Sequence, residues 1–76
     1  MDNLFKYEKI TSREKEVLLL TIKGDSNSKI ADKLSISIHT VKAHLENIYR
    51  KLNVHNKVQA SICAVYHNFI DLDEIF

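Results

Sequence analysis

The segment 37–52, SIHTVKAHLENIYRKL, most constrains the fold of this chain, because its apolar residues recur with the period of an α-helix. They follow one another at steps of four, three and four, which places them on one stripe suited to burial. These residues are Val41, Leu45, Ile48 and Leu52. The segment therefore predicts a long amphipathic helix that packs on a core.

The opposite face of this predicted helix carries side chains that can donate to phosphates or meet base edges. They are His39, Lys42, Glu46, Asn47, Arg50 and Lys51. An α-helix is also the element that fits the major groove of B-DNA. The pattern therefore indicates a helix that binds double-stranded DNA.

The length and the charge distribution favour binding over catalysis. A chain of 76 residues makes one domain and leaves little room for a catalytic cleft. Its net charge is +1, but the charges are unevenly distributed along the chain. Residues 37–57 contain four Lys or Arg and one Glu, whereas residues 58–76 contain three acidic residues and no Lys or Arg. A basic block beside an acidic segment is typical of nucleic-acid binding. We expect no enzymatic activity.

The single cysteine and the hydropathy limit the cellular location and the metal sites that the sequence allows. Cys63 is the single cysteine, so it cannot form an internal disulfide, and no basic-plus-apolar leader precedes the domain. No apolar run approaches the length of a membrane span. Cys63 and His67 lie four residues apart, but two further ligands at zinc spacing are missing. We expect a cytoplasmic protein with no metal and no other cofactor.

Capping signals divide the rest of the chain into helices. Thr11 and Glu14 have capping-box spacing, so a first helix starts there, and Gly24 suits the left-handed residue that closes it. Ser26 or Asn27 caps a short second helix. A tight turn at residues 35–37 then leads into the long third helix, which makes a helix-turn-helix.

A fourth helix is predicted after the spacing Asn56-x-x-Gln59, which suits a cap. This helix is apolar over a wide arc, although a terminal helix in a small domain has little core to cover. The excess apolar surface predicts a partner, most simply a second copy of the chain. The expected dimer interface consists of Val58, Ile62, Cys63 and Val65.

Five groups of residues occur together at a characteristic spacing. They are Thr11-x-Arg13-Glu14-x-Glu16-Val17-Leu18, Gly24, Ile30-Ala31-x-x-Leu34, Thr40-Val41-Lys42-x-His44 and Ile48-Tyr49-x-Lys51-Leu52. Together they resemble the LuxR/GerE-type helix-turn-helix. The resemblance implies an all-α, four-helix DNA-binding domain at residues 10–70. The residues on either side are predicted to form an N-terminal arm at 1–9 and a short acidic tail at 71–76. It also implies that the third helix enters the major groove and that the fourth pairs two domains.

Because about ten residues precede the domain, the chain resembles either a small stand-alone GerE-like regulator or the C-terminal domain of a NarL/FixJ-type response regulator. The resemblance implies a bacterial transcription regulator associated with the nucleoid. Its implied partners are double-stranded DNA, a second copy and RNA polymerase, with no membrane and no small-molecule ligand. Lys29 departs from the family, which usually has glutamate there, and places a cation near a helix N-terminus, where the macrodipole disfavours it.

The expected DNA contacts differ in role. Lys42 and Ala43 lie early in the third helix and are placed for bases, and Ala43 is short enough to approach a thymine methyl. Arg50 and Lys51 are expected to hold phosphates. Thr40 either donates to a phosphate or only completes a local cap. The remaining expected contacts are Glu46, Asn47 and Lys57.

Two hypotheses from different classes follow. One is a sequence-specific, dimeric, DNA-binding transcription regulator. The alternative is a protein-interaction module that uses the apolar face of the fourth helix and binds DNA weakly or not at all. Salt separates them, because DNA binding by counterion release weakens steeply with salt and apolar docking does not.

Overall fold

The computed structural model describes residues 8–76, and this part of the chain is helical and contains no strand. Its helices are α1 (Ser12–Ile22), α2 (Asn27–Leu34), α3 (Ile38–Leu52), α4 (Lys57–Tyr66) and the single turn α5 (Leu72–Ile75). The predicted all-α class is therefore confirmed. Of the predicted N-terminal arm, residues 1–7 lie outside the described range.

The first four helices begin at the caps that the sequence predicts. The Thr11 hydroxyl accepts from the Glu14 amide at 3.1 Å, and the Glu14 carboxylate accepts from the Thr11 amide at 3.0 Å, which completes the capping box. The other three caps each accept from the amide three residues further on. They are Ser26, Ser37 and Asn56. Local hydrogen bonds thus fix where α1 to α4 start.

The turns between helices depend on left-handed backbone. Gly24 follows α1 with φ 102°, and Ser35 and Asn53 end α2 and α3 with φ 57° each. At Ser35 the chain reverses so that the Ile36 amide donates to the Ala31 carbonyl at 3.0 Å, which closes the end of α2. This short turn brings α3 back against α2.

The core forms where α1, α2 and α4 pack against α3. The buried side chains of α3 are Val41, Ile48 and Leu52, and Leu45 packs half-buried beside them. The predicted apolar stripe of α3 therefore faces the core. Since this stripe occupies one side of the helix, the opposite side faces solvent.

The core face of α4 includes one residue that was predicted for the dimer interface. It consists of Ala60, Cys63 and Ala64, each 0% exposed. Cys63 was expected at the dimer surface, and this expectation is wrong, because its side chain is enclosed by the core and has no surface to offer a partner. Burial also raises the pKa of the Cys63 thiol. The small side chains of this face let α4 lie close to its neighbours.

The predicted acidic tail is folded. After α4 the chain turns back and buries Ile70, which is 1% exposed. The turn α5 then starts where the Glu74 carboxylate accepts from the Asp71 amide at 3.0 Å. The C-terminal segment thus adds a fifth helical element that packs beside α1.

Asp25 compensates the cation near the start of α2. Its carboxylate accepts a hydrogen bond from the Lys33 ammonium at 2.8 Å, and its other oxygen lies 3.7 Å from the Lys29 ammonium. The hydrogen bond from Lys33 holds the pKa of Asp25 below its ordinary value. Lys29, which departs from the family pattern, is therefore paired with the carboxylate of Asp25.

A mostly buried ion pair joins the two longest helices. The Lys51 ammonium lies 2.8 Å from the Glu14 carboxylate, and the two side chains are 17% and 6% exposed. Burial by itself raises the pKa of Glu14, but the hydrogen bonds from Lys51 and Thr11 outweigh it, so this pKa lies below its ordinary value. The charged pair thus ties the end of α3 to the start of α1.

Replacing Glu14 with Gln tests this pair, because Gln still suits a capping box but carries no charge. It leaves the Lys51 ammonium without its counter-charge, so we expect a loss of about 2–3 kcal/mol in the free energy of unfolding by urea near pH 7. The control is Glu16→Gln, whose exposed ion pair with Arg13 contributes less than about 0.5 kcal/mol.

The same pair has a defined pH dependence. Because the folded-state pKa of Glu14 is lowered, its stabilisation is complete above the ordinary value of 4.5 and is lost as the pH falls through the folded-state pKa. The difference in the free energy of unfolding between the wild type and Glu14→Gln is therefore expected to narrow below about pH 4. A difference that stays constant from neutral to strongly acidic pH would contradict this role.

Candidate nucleic-acid interface

One face of α3 is exposed along its whole length. Six of the seven residues of α3 expected to bind DNA lie on it: Thr40, Lys42, Ala43, Glu46, Asn47 and Arg50. Residues three or four positions apart lie on the same face of a helix, so these residues form a surface opposite the buried stripe. The fold therefore presents these side chains together on a single surface.

Thr40 takes part in the cap of α3. Its amide donates to the Ser37 hydroxyl at 3.0 Å, and the two hydroxyl oxygens lie 3.0 Å apart. A hydroxyl has one proton and two lone pairs, so this contact leaves hydrogen-bonding capacity on the exposed Thr40 side chain. The local cap is present, and a phosphate contact remains compatible with it.

Lys42 and Glu46 lie one turn apart on the exposed face. Within residues 8–76, Glu46 forms no ion pair with Lys42 or with Arg50. A carboxylate on this face would repel the phosphates of any DNA placed against it. Glu46 is thus an anion whose position intrahelical pairing does not explain.

Arg50 and Lys51 are adjacent in sequence but differ in environment. The Lys51 ammonium is held by Glu14 within the fold, whereas the Arg50 side chain is 60% exposed. The expected phosphate contact of Lys51 thus competes with an internal partner. Arg50 is the better-placed cation at this end of α3.

Glu8 lies against the end of α3. Its amide donates to the Lys51 carbonyl at 2.9 Å, and its carboxylate oxygens lie 3.4 and 3.5 Å from Nη1 of Arg50. Sequence reasoning missed this contact, because 42 residues separate the pair and no local spacing signals it. The Glu8 carboxylate therefore pairs with the Arg50 guanidinium, a group that is expected to bind phosphate.

The outer face of α4 carries exposed apolar side chains. Val58 is 68% exposed, Ile62 56% and Tyr66 52%, while Val65 is half-buried. Tyr66 was missed by the sequence analysis, although its four-residue step from Ile62 was available as a signal. Lys57 is exposed in the first turn of the same helix.

No three His, Cys, Asp or Glu side chains among residues 8–76 are grouped so that they could hold a metal ion. In the same part of the chain, none of the helices has both the length and the apolar character needed to cross a membrane.

The sequence is similar to that of known proteins. The family model for bacterial regulatory proteins of the luxR family matches residues 8–64. The chain belongs to this family. It is 52% identical over 64 residues to the response regulator protein VraR of Staphylococcus aureus (strain Mu3 / ATCC 700698), and equally to VraR of Staphylococcus saprophyticus and Staphylococcus epidermidis. Each alignment covers 84% of this chain and 31% of the relative, so the chain spans about a third of the length of these curated relatives.

Family membership confirms the resemblance seen in the sequence and makes the chain a DNA-binding domain of the bacterial transcription-regulator type. The family match includes the whole exposed face of α3 and the contact between Glu8 and Arg50. It ends within α4, at residue 64, so Tyr66 and α5 lie beyond it.

Replacing Glu8 with Gln tests whether this carboxylate lowers DNA affinity by occupying Arg50. We expect affinity for duplex DNA to rise about two- to fivefold, because an exposed ion pair of about 0.5–1 kcal/mol no longer competes with phosphate. Fluorescence anisotropy with a labelled duplex measures the change. Glu16→Gln is the control, because it changes the net charge equally. Equal gains in the two variants would show that only net charge matters.

Proposed function

We propose that the chain is a sequence-specific, double-stranded DNA-binding domain of a bacterial transcription regulator, which places α3 in the major groove and acts as a dimer through α4. The observation that carries this proposal is the exposed face of α3, with Lys42 and Glu46 projecting from a helix that is fixed at both ends. Its relatives are named response regulator proteins, which supports a regulatory role. RNA polymerase is a further proposed partner.

The affinity is proposed to come mainly from phosphates. Arg50, Lys57 and Thr40 are exposed and suit this role, and backbone amides at helix starts add to it. If each subunit neutralises about three or four phosphates, a dimer releases enough counterions for log K to fall with log salt at a slope of about −6. Such contacts position the domain without reading sequence.

The proposed base contacts lie nearer the start and middle of α3. Lys42 donates to guanine O6 or N7, Glu46 accepts from cytosine N4, and Asn47 donates to or accepts from a base edge. Ala43 allows close approach and touches a thymine methyl. Reading adjacent bases with a cation and an anion gives specificity, because each rejects the bases that the other accepts.

The alternative function is a protein-interaction module that uses the outer face of α4. The exposure of Val58 and Ile62 favours it, since large apolar side chains on a small domain mark a binding surface. Binding to a random duplex pool at two salt concentrations distinguishes the two functions. A regulator selects particular sequences with a steep salt dependence, whereas a protein-interaction module selects none.

Removing Lys42 and Glu46 separately is expected to give opposite results. Lys42→Ala loses about 1–3 kcal/mol on the selected site, as for a lost base contact. Glu46→Ala raises affinity for scrambled DNA and narrows the ratio between the selected and scrambled sites, because a repulsive anion is removed. Anisotropy titrations against both duplexes measure this ratio. If the ratio of the affinities for the selected and scrambled sites is unchanged in Glu46→Ala, Glu46 does not contribute to base recognition.

The dimer is tested by replacing Ile62 with Asp. The side chain is 56% exposed, so the fold is expected to tolerate the change while apolar contact with a second copy is lost. Binding to two half-sites about 34 Å apart is expected to weaken far more than binding to one half-site. Circular dichroism checks the fold. Equal losses on both probes, with the fold intact, would rule out this dimer surface.

A further inference from the structure

A groove lies between the start of α1 and the turn that follows α4, and its volume is about 560 Å³. Ile10, Leu18 and Phe69 supply its apolar surface. Lys9 and Lys15 also line it, and both of these side chains are exposed. None of the described residues that line the groove belongs to α3, so the groove is separate from the candidate nucleic-acid interface.

The two lysines of this groove have no carboxylate partner within residues 8–76. Other cations of the same range do form ion pairs, and they are Arg13, Lys29, Lys33, Arg50 and Lys51. Complementary charge selects among the surfaces that can dock on an apolar patch. Two unpaired cations beside an apolar groove therefore favour an occupant that combines acidic and apolar side chains.

The segment that contains α5 has this chemistry. Its acidic residues are Asp71, Asp73 and Glu74, and all three are exposed. Leu72 is 57% exposed and Phe76 99%, so the same segment also presents two large apolar side chains to solvent. Burying such side chains against another apolar surface is favourable. The chain thus carries both a basic, apolar groove and an acidic, apolar segment.

The groove and the exposed Phe76 lie toward opposite ends of α1. Lys15 lies near the start of this helix, whereas Ile22, its last residue, lines an apolar surface together with Phe76. The rise along the helix from Lys15 to Ile22 is about 10 Å. Two different, complementary surfaces at separate ends of a molecule suit a head-to-tail contact, which continues from copy to copy and does not close as a two-fold pair.

We propose that α5 of one copy binds the groove of the next copy, with the Phe76 side chain against Ile10 and Leu18 and the Asp73 carboxylate beside Lys15. This contact goes beyond the proposed function, since it requires no DNA and does not use the outer face of α4. Both α5 and the turn after α4 lie beyond the family match, which ends at residue 64. A dimer formed through α4 has two such grooves and two α5 turns, so the contact joins neighbouring dimers.

Sedimentation equilibrium of the full chain without DNA tests this contact in an Ile62→Asp background, which removes the proposed dimer through α4. We expect assemblies that grow with concentration and do not stop at two chains. Adding Lys15→Glu or Phe76→Ser is expected to lower the association constant about tenfold, because the first places like charges together and the second removes an apolar contact. Lys29→Glu is the matched control, since it makes the same change in charge at an exposed residue that lines neither surface.

Mixing the two weakened variants tests the head-to-tail arrangement directly, with circular dichroism to confirm that each variant is folded. The Lys15→Glu chain keeps an intact α5, and the Phe76→Ser chain keeps an intact groove. An equimolar mixture is therefore expected to form one-to-one pairs that neither variant forms alone, and such pairs support the proposal. A mixture without pairs, or an equal loss of association in Lys29→Glu, would overturn it. A folded Ile62→Asp chain that stays monomeric would also overturn it and would leave the groove to an acidic segment of another protein.

Discussion

The ion pair between Lys51 and Glu14 anchors the C-terminal end of α3 to the start of α1. Glu14 completes the cap at the start of α1 and also binds the last turn of α3, so a single carboxylate serves two helices. The other end of α3 is held by Ser37 and by the turn at Ser35. A helix held at both ends has little freedom to move relative to the rest of the domain, and such rigidity suits the sequence-specific DNA binding proposed above.

The sequence predicted the helices well because their starts depend on contacts within four residues. Thr11, Ser37 and Asn56 cap their helices as their spacing indicates. The orientation of α4 was predicted less well, since its apolar residues cover so wide an arc that several core faces fit the pattern. The structure selects the side with the smallest side chains, which removed Cys63 from the predicted interface. Helix packing, rather than periodicity, decides such cases.

Contacts between distant residues account for most of what the sequence did not predict. The pairs Lys51–Glu14 and Arg50–Glu8 join residues 37 and 42 positions apart, and adjacent cations of α3 consequently have different environments. The turn α5 was missed for a different reason. Its Asp71-x-x-Glu74 spacing fits a capping box, but a short acidic stretch at the end of a chain also suits a solvated tail. Burial of Ile70 resolves this ambiguity in favour of a folded turn.

The small side chains on the inner face of α4 have a consequence for the DNA. Ala60, Cys63 and Ala64 allow α4 to lie close to the rest of the domain. In a dimer joined through α4, the thickness of this layer contributes directly to the distance between the two α3 helices. That distance sets the number of base pairs between half-sites. If the domain dimerises through α4 as proposed, the volume of these three buried side chains therefore influences the operator spacing that the dimer binds.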